Sequence, residues 1–390
     1  MKRISDLERK YVNEVLDNEF SASKNSVFNN KLEAAFAKRF NCGYAIGHVN
    51  GTATMHTALA ALGVKPGDEV IVPALTMCST ALAVLHNGSI PVFADVDPET
   101  FEIDAKSVEK LVTSKTKAVI PVALYGMTPD YDALLDVCRR HNLYVVEDNA
   151  ECFLGSYKGK LAGEFGDFAS FSFQASKHMT TGEGGMLVTN KEELADKARQ
   201  FNCLGYNGVS AKQGKITKND IQNPKYSRHV AMGFNYRMSE LQAACALGQL
   251  EHLEELVENR IKVAEIFDEA LKDQNLLVRQ AQPEGFVNSY WAYAMVLKTD
   301  NPETEWYRFR DLFQKNGGDG FYAAWKLNYN EPLFLNIVQK MPGVWQKYNE
   351  DLCPNAEYLQ KRMIQLKTNY FDLDEARQQA AILKQTIKEF

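Results

Sequence analysis

Apolar residues recur along this chain in short runs of four to six, separated by stretches with helical spacing. The runs at 44–47, 69–73, 91–95, 118–122, 144–148, 168–173 and 186–189 are rich in Val, Ile and Phe and read as about seven strands. The stretches 52–62, 78–86, 105–112 and 132–142 read as helices between them. Strands of this composition alternating with helices predict a mainly parallel seven-stranded sheet sandwiched by helices, an α/β fold. Ahead of it, the first thirty residues read as an amphipathic helix and a loop, followed by a helix over 31–40. The alternation stops near Asn190. Residues 207–232 are polar, locally basic and without period, and read as a long excursion, a flap or an interface loop. Apolar spacing of three and four then predicts one long helix over 238–271, and 275–390 mixes strand and helix signals. The expected division is a large domain over 1–250, including the N-terminal helical segment, and a small C-terminal α+β domain over 251–390.

Open α/β sheets bind ligands at the carboxyl ends of their strands, and three such ends carry suggestive residues. In FASFSFQASKHMTTGEGG (168–185) a buried strand runs into Ser172, Lys177 and a glycine cluster. Burial favours the neutral amine, the form that makes a Schiff base; the alternative is a solvated lysine before a turn. In 144–151 (YVVEDNAE) carboxylates gather at the end of a central strand, where Asp148 would either pair with a cationic ring or cap a helix. Asn50-Gly-Thr-Ala-Thr54 lies between a strand and a helix, as an anion site or an ordinary cap. Together they supply a phosphate cradle, a carboxylate for a pyridinium and a lysine for an aldehyde, which is far more specific than any one alone.

Composition narrows the class. Of 390 residues, 45% are hydrophobic and 24% charged, ordinary for a globular protein. Lys plus Arg number 44 against 50 Asp plus Glu, a net charge of −6, which argues against nucleic acid as a partner. No apolar run approaches the roughly 18 residues of a membrane helix, so no membrane partner is expected. The N-terminus lacks the apolar core of a secretory signal. Seven scattered cysteines without a CxxC pair predict neither a disulfide framework nor a metal site, and a reducing, cytoplasmic location.

The segments NGTATMHTAL, GDEVIVPALT, PVFADVDPETFEID, VVEDNAE, GDFASFSF, SKHMTTGEGGM and GFNYRMSELQAA occur in the order and at the spacings of a known group. Over about residues 30–250 the chain resembles the DegT/DnrJ/EryC1/StrS sugar aminotransferases, within the fold-type I pyridoxal-phosphate enzymes. Over 275–390 only CPNAEYL and a terminal helix look familiar. The resemblance implies pyridoxal 5′-phosphate as cofactor, passing through pyridoxamine 5′-phosphate during turnover. It implies Lys177 as the lysine that holds the cofactor and then shuttles the proton, and Asp148 at the ring nitrogen. Glu151 falls where the family has Gln, and sometimes Glu, near the 3-hydroxyl. Gly51, Thr52 and Ser172 would bind the phosphate, with Ala53 beside them among the cofactor-binding residues. Asn235 matches a residue reaching the neighbouring subunit's cofactor phosphate, which implies a homodimer with shared active sites. Two positions depart from the family. Met77 stands where an aromatic residue usually covers the ring; its polarizable sulfur can still pack there. Ala123 replaces a frequent His before Leu-Tyr-Gly.

The implied activity moves an amino group from glutamate or glutamine to a keto sugar, a nucleotide-linked 4-keto-6-deoxy sugar, in bacterial surface-glycan or sugar biosynthesis. The alternatives are an acceptor that is a keto sugar acid without nucleotide, suggested by the aromatic stretch 320–334; a sugar dehydratase, which would carry His where this chain has Lys177; and a catalytically idle regulator. Other residues are read more plainly. His178 is expected to point away from the chemistry. Arg237 either binds substrate or starts the long helix with a salt bridge. The basic residues of 212–228 are solvated charge or a lip for a diphosphate. Tyr290 and Trp291 are expected in the small-domain core, and Cys152 as a packed thiol.

Overall fold

The computed structural model describes residues 2–20, 27–214 and 216–390. Met1 and residues 21–26 of the expected helix-and-loop segment, and Lys215 of the polar excursion, lie outside the described residues. The strands are β1 (Tyr44–His48), β2 (Glu69–Pro73), β3 (Ile90–Ala94), β4 (Thr116–Val119), β5 (Tyr144–Asp148), β6 (Ser156–Tyr157), β7 (Lys160–Leu161), β8 (Phe168–Ser172), β9 (Gly185–Thr189), β10 (Leu277–Arg279), β11 (Phe286–Val287), β12 (Ala292–Leu297) and β13 (Met363–Lys367). The central sheet has seven strands in the order β1-β9-β8-β5-β4-β2-β3. Only β9 runs against the others, pairing antiparallel with both β1 and β8. The seven strands and the parallel character match the periodicity of the sequence.

The first helices are α1 (Asp6–Asp17), α2 (Phe28–Arg39), α3 (Gly51–Ala61), α4 (Ser79–His86), α5 (Ala105–Leu111), α6 (Tyr131–His141) and α7 (Glu192–Asn202). Two apolar clusters lie on the two sides of the sheet around its centre. One joins α3 and α4 to Val70, Val72, Val146 and Phe168. The other packs Ile71, Val92, Val119 and Val145 against Leu134 and Val137 of α6. Alternate residues of β2 and β5 thus enter opposite layers, as the pleat requires.

One expectation is refined and one corrected. The excursion expected over 207–232 is, over its described residues, a long and mostly irregular connection. Its ends pair back on each other through Tyr206 with His229 and Cys203 with Asn235, and a short helix, α8 (Lys218–Gln222), sits at its tip, closed by a Thr217–Asp220 capping box. The single helix over 238–271 is two, α9 (Glu240–Leu250) and α10 (Leu253–Leu271). At the break His252 leaves helical geometry (φ −129°), and its ring Nδ1 lies 2.7 Å from the Gly248 carbonyl, the acceptor its own backbone N–H would otherwise use.

The remaining helices are α11 (Pro302–Lys315), α12 (Pro332–Asn336), α13 (Pro354–Gln360) and α14 (Leu373–Glu389). The sheet β10-β12-β13 packs with α10, α11 and α14 around Phe267, Tyr293, Phe309 and Leu383. The segment between β12 and β13 folds over β3, where Phe93 meets Tyr329, Phe334 and Tyr348 edge-on or tilted. Among the described residues no helix is long and apolar enough to cross a membrane, no group of His, Cys, Asp and Glu is placed to hold a metal ion, and all seven cysteines are unpaired.

Candidate active site

The carboxyl ends of β5 and β8 and the start of α3 converge. Asn50, extended at φ −167°, caps α3 by accepting the Ala53 N–H at 2.8 Å. The Ala53 amide is therefore already engaged by the cap. Gly51 sits directly over Ser172 at the end of β8: a Cβ on Gly51 would stand 2.9 Å from that of Ser172. A Cβ on Gly185 would stand 2.7 Å from the Asn50 carbonyl carbon, so that glycine lets β9 seat the turn before α3. The helix start is thus laid against the Ser172 hydroxyl, a concave polar corner bearing the positive end of a helix.

Along β5 the pleat sends neighbouring carboxylates to different places. Glu147 accepts backbone N–H groups from Gly163, Phe165 and Gly166 at 2.7–2.8 Å, together with the Tyr131 hydroxyl and the Asn149 amide. It holds the 163–166 turn. Among the described residues Asp148 accepts only the Thr80 hydroxyl at 2.8 Å and the Ala150 N–H at 3.2 Å. Burial pushes its carboxyl up from the ordinary range, opposed by those two bonds and by the Lys177 charge.

Lys177 lies in the loop after β8, with its ammonium 3.2 Å from Glu151 Oε1 and 4.5 Å from the centre of the Trp291 ring. The side chains of Lys177 and Glu151 are only 12% and 4% exposed, so this is a desolvated pair. Burial raises the Glu151 carboxyl, and Lys177 and the Tyr125 N–H, at 3.2 Å from Oε2, oppose that rise. Lys177, Asp148, Glu151, Ser172 and Gly51 are thereby brought together, and Thr52 follows in the first turn of α3. Met77 is half exposed before α4, with its sulfur 3.0 Å from the Ser79 N–H; its carbonyl accepts from Thr80, the residue holding Asp148.

Asn235 is exposed and lies apart from this cluster, on the strand-like return that pairs with Cys203. It does not cap α9; Ser239 does, with Gln242 completing the box. Arg237 stands ahead of that helix, which begins at Glu240. It lines a separate cavity of about 580 Å³ with Glu33, Arg199 and Cys203. His178 is buried and donates from Nε2 to the Ser289 carbonyl at 2.9 Å, and burial holds its pKa well down. Cys152 is a buried thiol donating to the Gly126 carbonyl. Tyr290 packs in the C-terminal apolar cluster as expected, but Trp291 does not: it forms one wall beside Lys177 and is roughly parallel to Tyr125 and Trp325. Sequence reasoning also missed Thr80. A hydroxyl two residues inside a helix carries no local sign that it will meet a strand end 68 positions away.

The residues fit pyridoxal phosphate on their own chemistry. A buried amine, an incompletely paired buried carboxylate and a hydroxyl-lined helix start face one cleft. Comparison with known proteins agrees. The chain is 36% identical over 360 residues to the GDP-perosamine synthase of Escherichia coli O157:H7, covering 92% of this chain and 89% of that protein. It is 42% identical over 269 residues to the GDP-perosamine synthase of Caulobacter vibrioides, 69% and 68% of the two chains. The solved aminotransferase of Psychrobacter cryohalolentis superposes with a TM-score of 0.86 at 27% identity over 99% of this chain and 98% of that one. The family model itself matches residues 2–383, and this chain belongs to the DegT/DnrJ/EryC1/StrS aminotransferase family.

Proposed function

We propose that this aminotransferase transfers the amino group of glutamate or glutamine to a nucleotide-linked 4-keto-6-deoxy sugar, using the cleft of Lys177, Asp148 and Glu151. The observation that carries the reading is the desolvated Lys177 ammonium, paired with Glu151 and lying under the field of Asp148. Bound pyridoxal phosphate supplies an aldehyde for the amine and a ring that draws electrons from the carbon losing its proton. Asp148, its carboxylate oriented by Thr80, would hold the proton on the ring nitrogen. Glu151 would stand by the 3-hydroxyl. Gly51, Thr52 and Ser172 would bind the phosphate, with Ala53 beside them. Lys177 Nζ would take and return the proton. Two relatives named GDP-perosamine synthase favour a GDP-linked acceptor. The test is a panel of keto sugars, with and without a nucleotide, offered with glutamate and with glutamine and read by mass spectrometry. Amination of the GDP-linked 4-keto sugar is expected. Amination only of free keto sugar acids would overturn the acceptor assignment.

The reading extends to a homodimer in which Asn235 completes the partner's phosphate site. Its exposure, its absence from the α9 cap, and the exposed Val230, Met232 and Phe234 beside it support this. Mixing inactive Lys177→Ala with Asn235→Ala under subunit exchange should restore activity in hybrids, because one site of each hybrid then carries neither lesion. Full activity of Asn235→Ala alone, or a mixture that stays inactive despite exchange, would reject it.

A further inference from the structure

Arg260, on α10, is 4% exposed, and no carboxylate pairs with it among the described residues. Burial lowers its pKa to about 9, with Arg3 adding repulsion. A buried cation is ordinarily held by an opposite charge. Here the compensation comes from backbone dipoles around the lysine cleft. One guanidinium nitrogen donates to the Trp291 carbonyl at 2.8 Å and the Thr368 hydroxyl at 2.9 Å. The other donates to the carbonyls of Ser176 at 3.1 Å and Lys177 at 3.3 Å. Arg3 approaches from the N-terminal segment and donates to the same Lys177 carbonyl at 2.9 Å. The Trp291 indole closes the circuit, donating to the Ser176 carbonyl at 3.0 Å. The peptide that carries the Lys177 side chain and the ring on which its ammonium rests are therefore fastened to each other through one planar fork. A lysine, a point charge on a flexible stem, cannot span both.

We propose that Arg260, assisted by Arg3, is a positioning residue for the amino-transfer reaction: it fixes Lys177 Nζ between Glu151 and Trp291 by clamping the peptides of Ser176, Lys177 and Trp291. The proposal rests on the assignment of Lys177 to the cofactor. A brace that served stability alone would lower the melting temperature and leave the reactivity of Nζ in the folded fraction unchanged.

The experiment uses the full chain loaded with pyridoxal phosphate. It compares wild type with Arg260→Met, Arg260→Lys, Arg3→Met and Lys177→Ala. The readouts are the rate of borohydride trapping of cofactor on the Lys177 peptide, followed by mass spectrometry, and kcat and KM for the amino donor. Misplacing a reacting group costs about tenfold to a hundredfold in rate, and that loss is expected in trapping and kcat for Arg260→Met, with KM changed less than about threefold. Arg260→Lys should recover only part of it, and Arg3→Met should show a smaller loss of about two- to fivefold. If folded Arg260→Met traps cofactor and turns over at wild-type rates, the proposal is overturned. If Arg260→Met does not fold, Arg3→Met decides, and wild-type trapping and kcat in that variant overturn it. A Lys177→Ala chain that still traps cofactor and turns over rejects the site assignment itself, an outcome distinct from the other two.

Discussion

The two faces of β5 treat adjacent carboxylates in opposite ways. Among the described residues, Glu147, below the strand, receives five hydrogen bonds, three of them from the backbone of one turn. At its end, Asp148 receives two and is left facing an amine. Both side chains are buried, and burial pushes both carboxyls up. Burial and pKa direction therefore do not separate structural from reactive acid here. What separates them is whether the fold itself has filled the acceptor positions. A carboxylate saturated by its own chain has nothing left for a ligand, whereas one with open lone pairs in a polar cleft has.

The sharpest way to break this contrast is to remove the amine that Asp148 faces. Lys177→Ala is expected to lower turnover by at least about a thousandfold, since it removes a group that acts with others as a unit. It should also abolish the visible band near 400–430 nm that a lysine-bound cofactor gives, about the range expected of such a linkage. A band and turnover surviving in that variant would mean that the cleft has been assigned wrongly.

The next test sets the two acids against each other. Asp148→Asn should keep the cofactor, held at its phosphate, and lose roughly tenfold to a hundredfold or more of kcat, because a charge-assisted bond of about 1.5–3 kcal/mol to the ring nitrogen is gone. Glu147→Gln should do the reverse. Its amide cannot accept from all three backbone donors, so urea unfolding should show a loss of about 1–3 kcal/mol while kcat per folded molecule stays within about twofold. Equal effects of the two substitutions on kcat would erase the distinction.

The smallest effect is in the pH dependence of the cofactor-free protein. The Asp148 carboxyl is raised by burial, so between its unfolded and folded pKa the native state holds a proton that the unfolded chain has released. That contribution is present below the ordinary carboxylate range and is lost as pH rises through the folded value. Buried His48, lowered to about 3, works in the other direction: the unfolded chain takes its proton first as pH falls below 6.5, and stability is lost toward acid. Asp148→Asn should remove only the first slope, at most about 1.4 kcal/mol per pH unit. Stability curves of the two proteins that run parallel from about pH 4 to 8 would contradict the raised carboxyl.

Much of this was legible from residue order. Val- and Ile-rich runs with helical spacers are enough to specify a covered parallel sheet, because a strand buried on both faces must be apolar throughout. The same order places Asp148, Ser172 and Gly51 at strand ends, where ligands bind. Tertiary structure decided the rest. That Glu147 closes a turn, that Thr80 rather than a nearer residue holds Asp148, that Trp291 leaves the small-domain core for the lysine, and that Arg3 and Arg260 meet on one carbonyl all depend on contacts between segments 16 to 174 residues apart. The helix break at His252 was hidden for a related reason: apolar spacing records which side of a helix is buried, and is indifferent to a side chain competing for a backbone acceptor. Local pattern determines which elements form and which faces they bury. The partner of each buried polar group is fixed only when the sheet order brings distant segments within hydrogen-bonding distance.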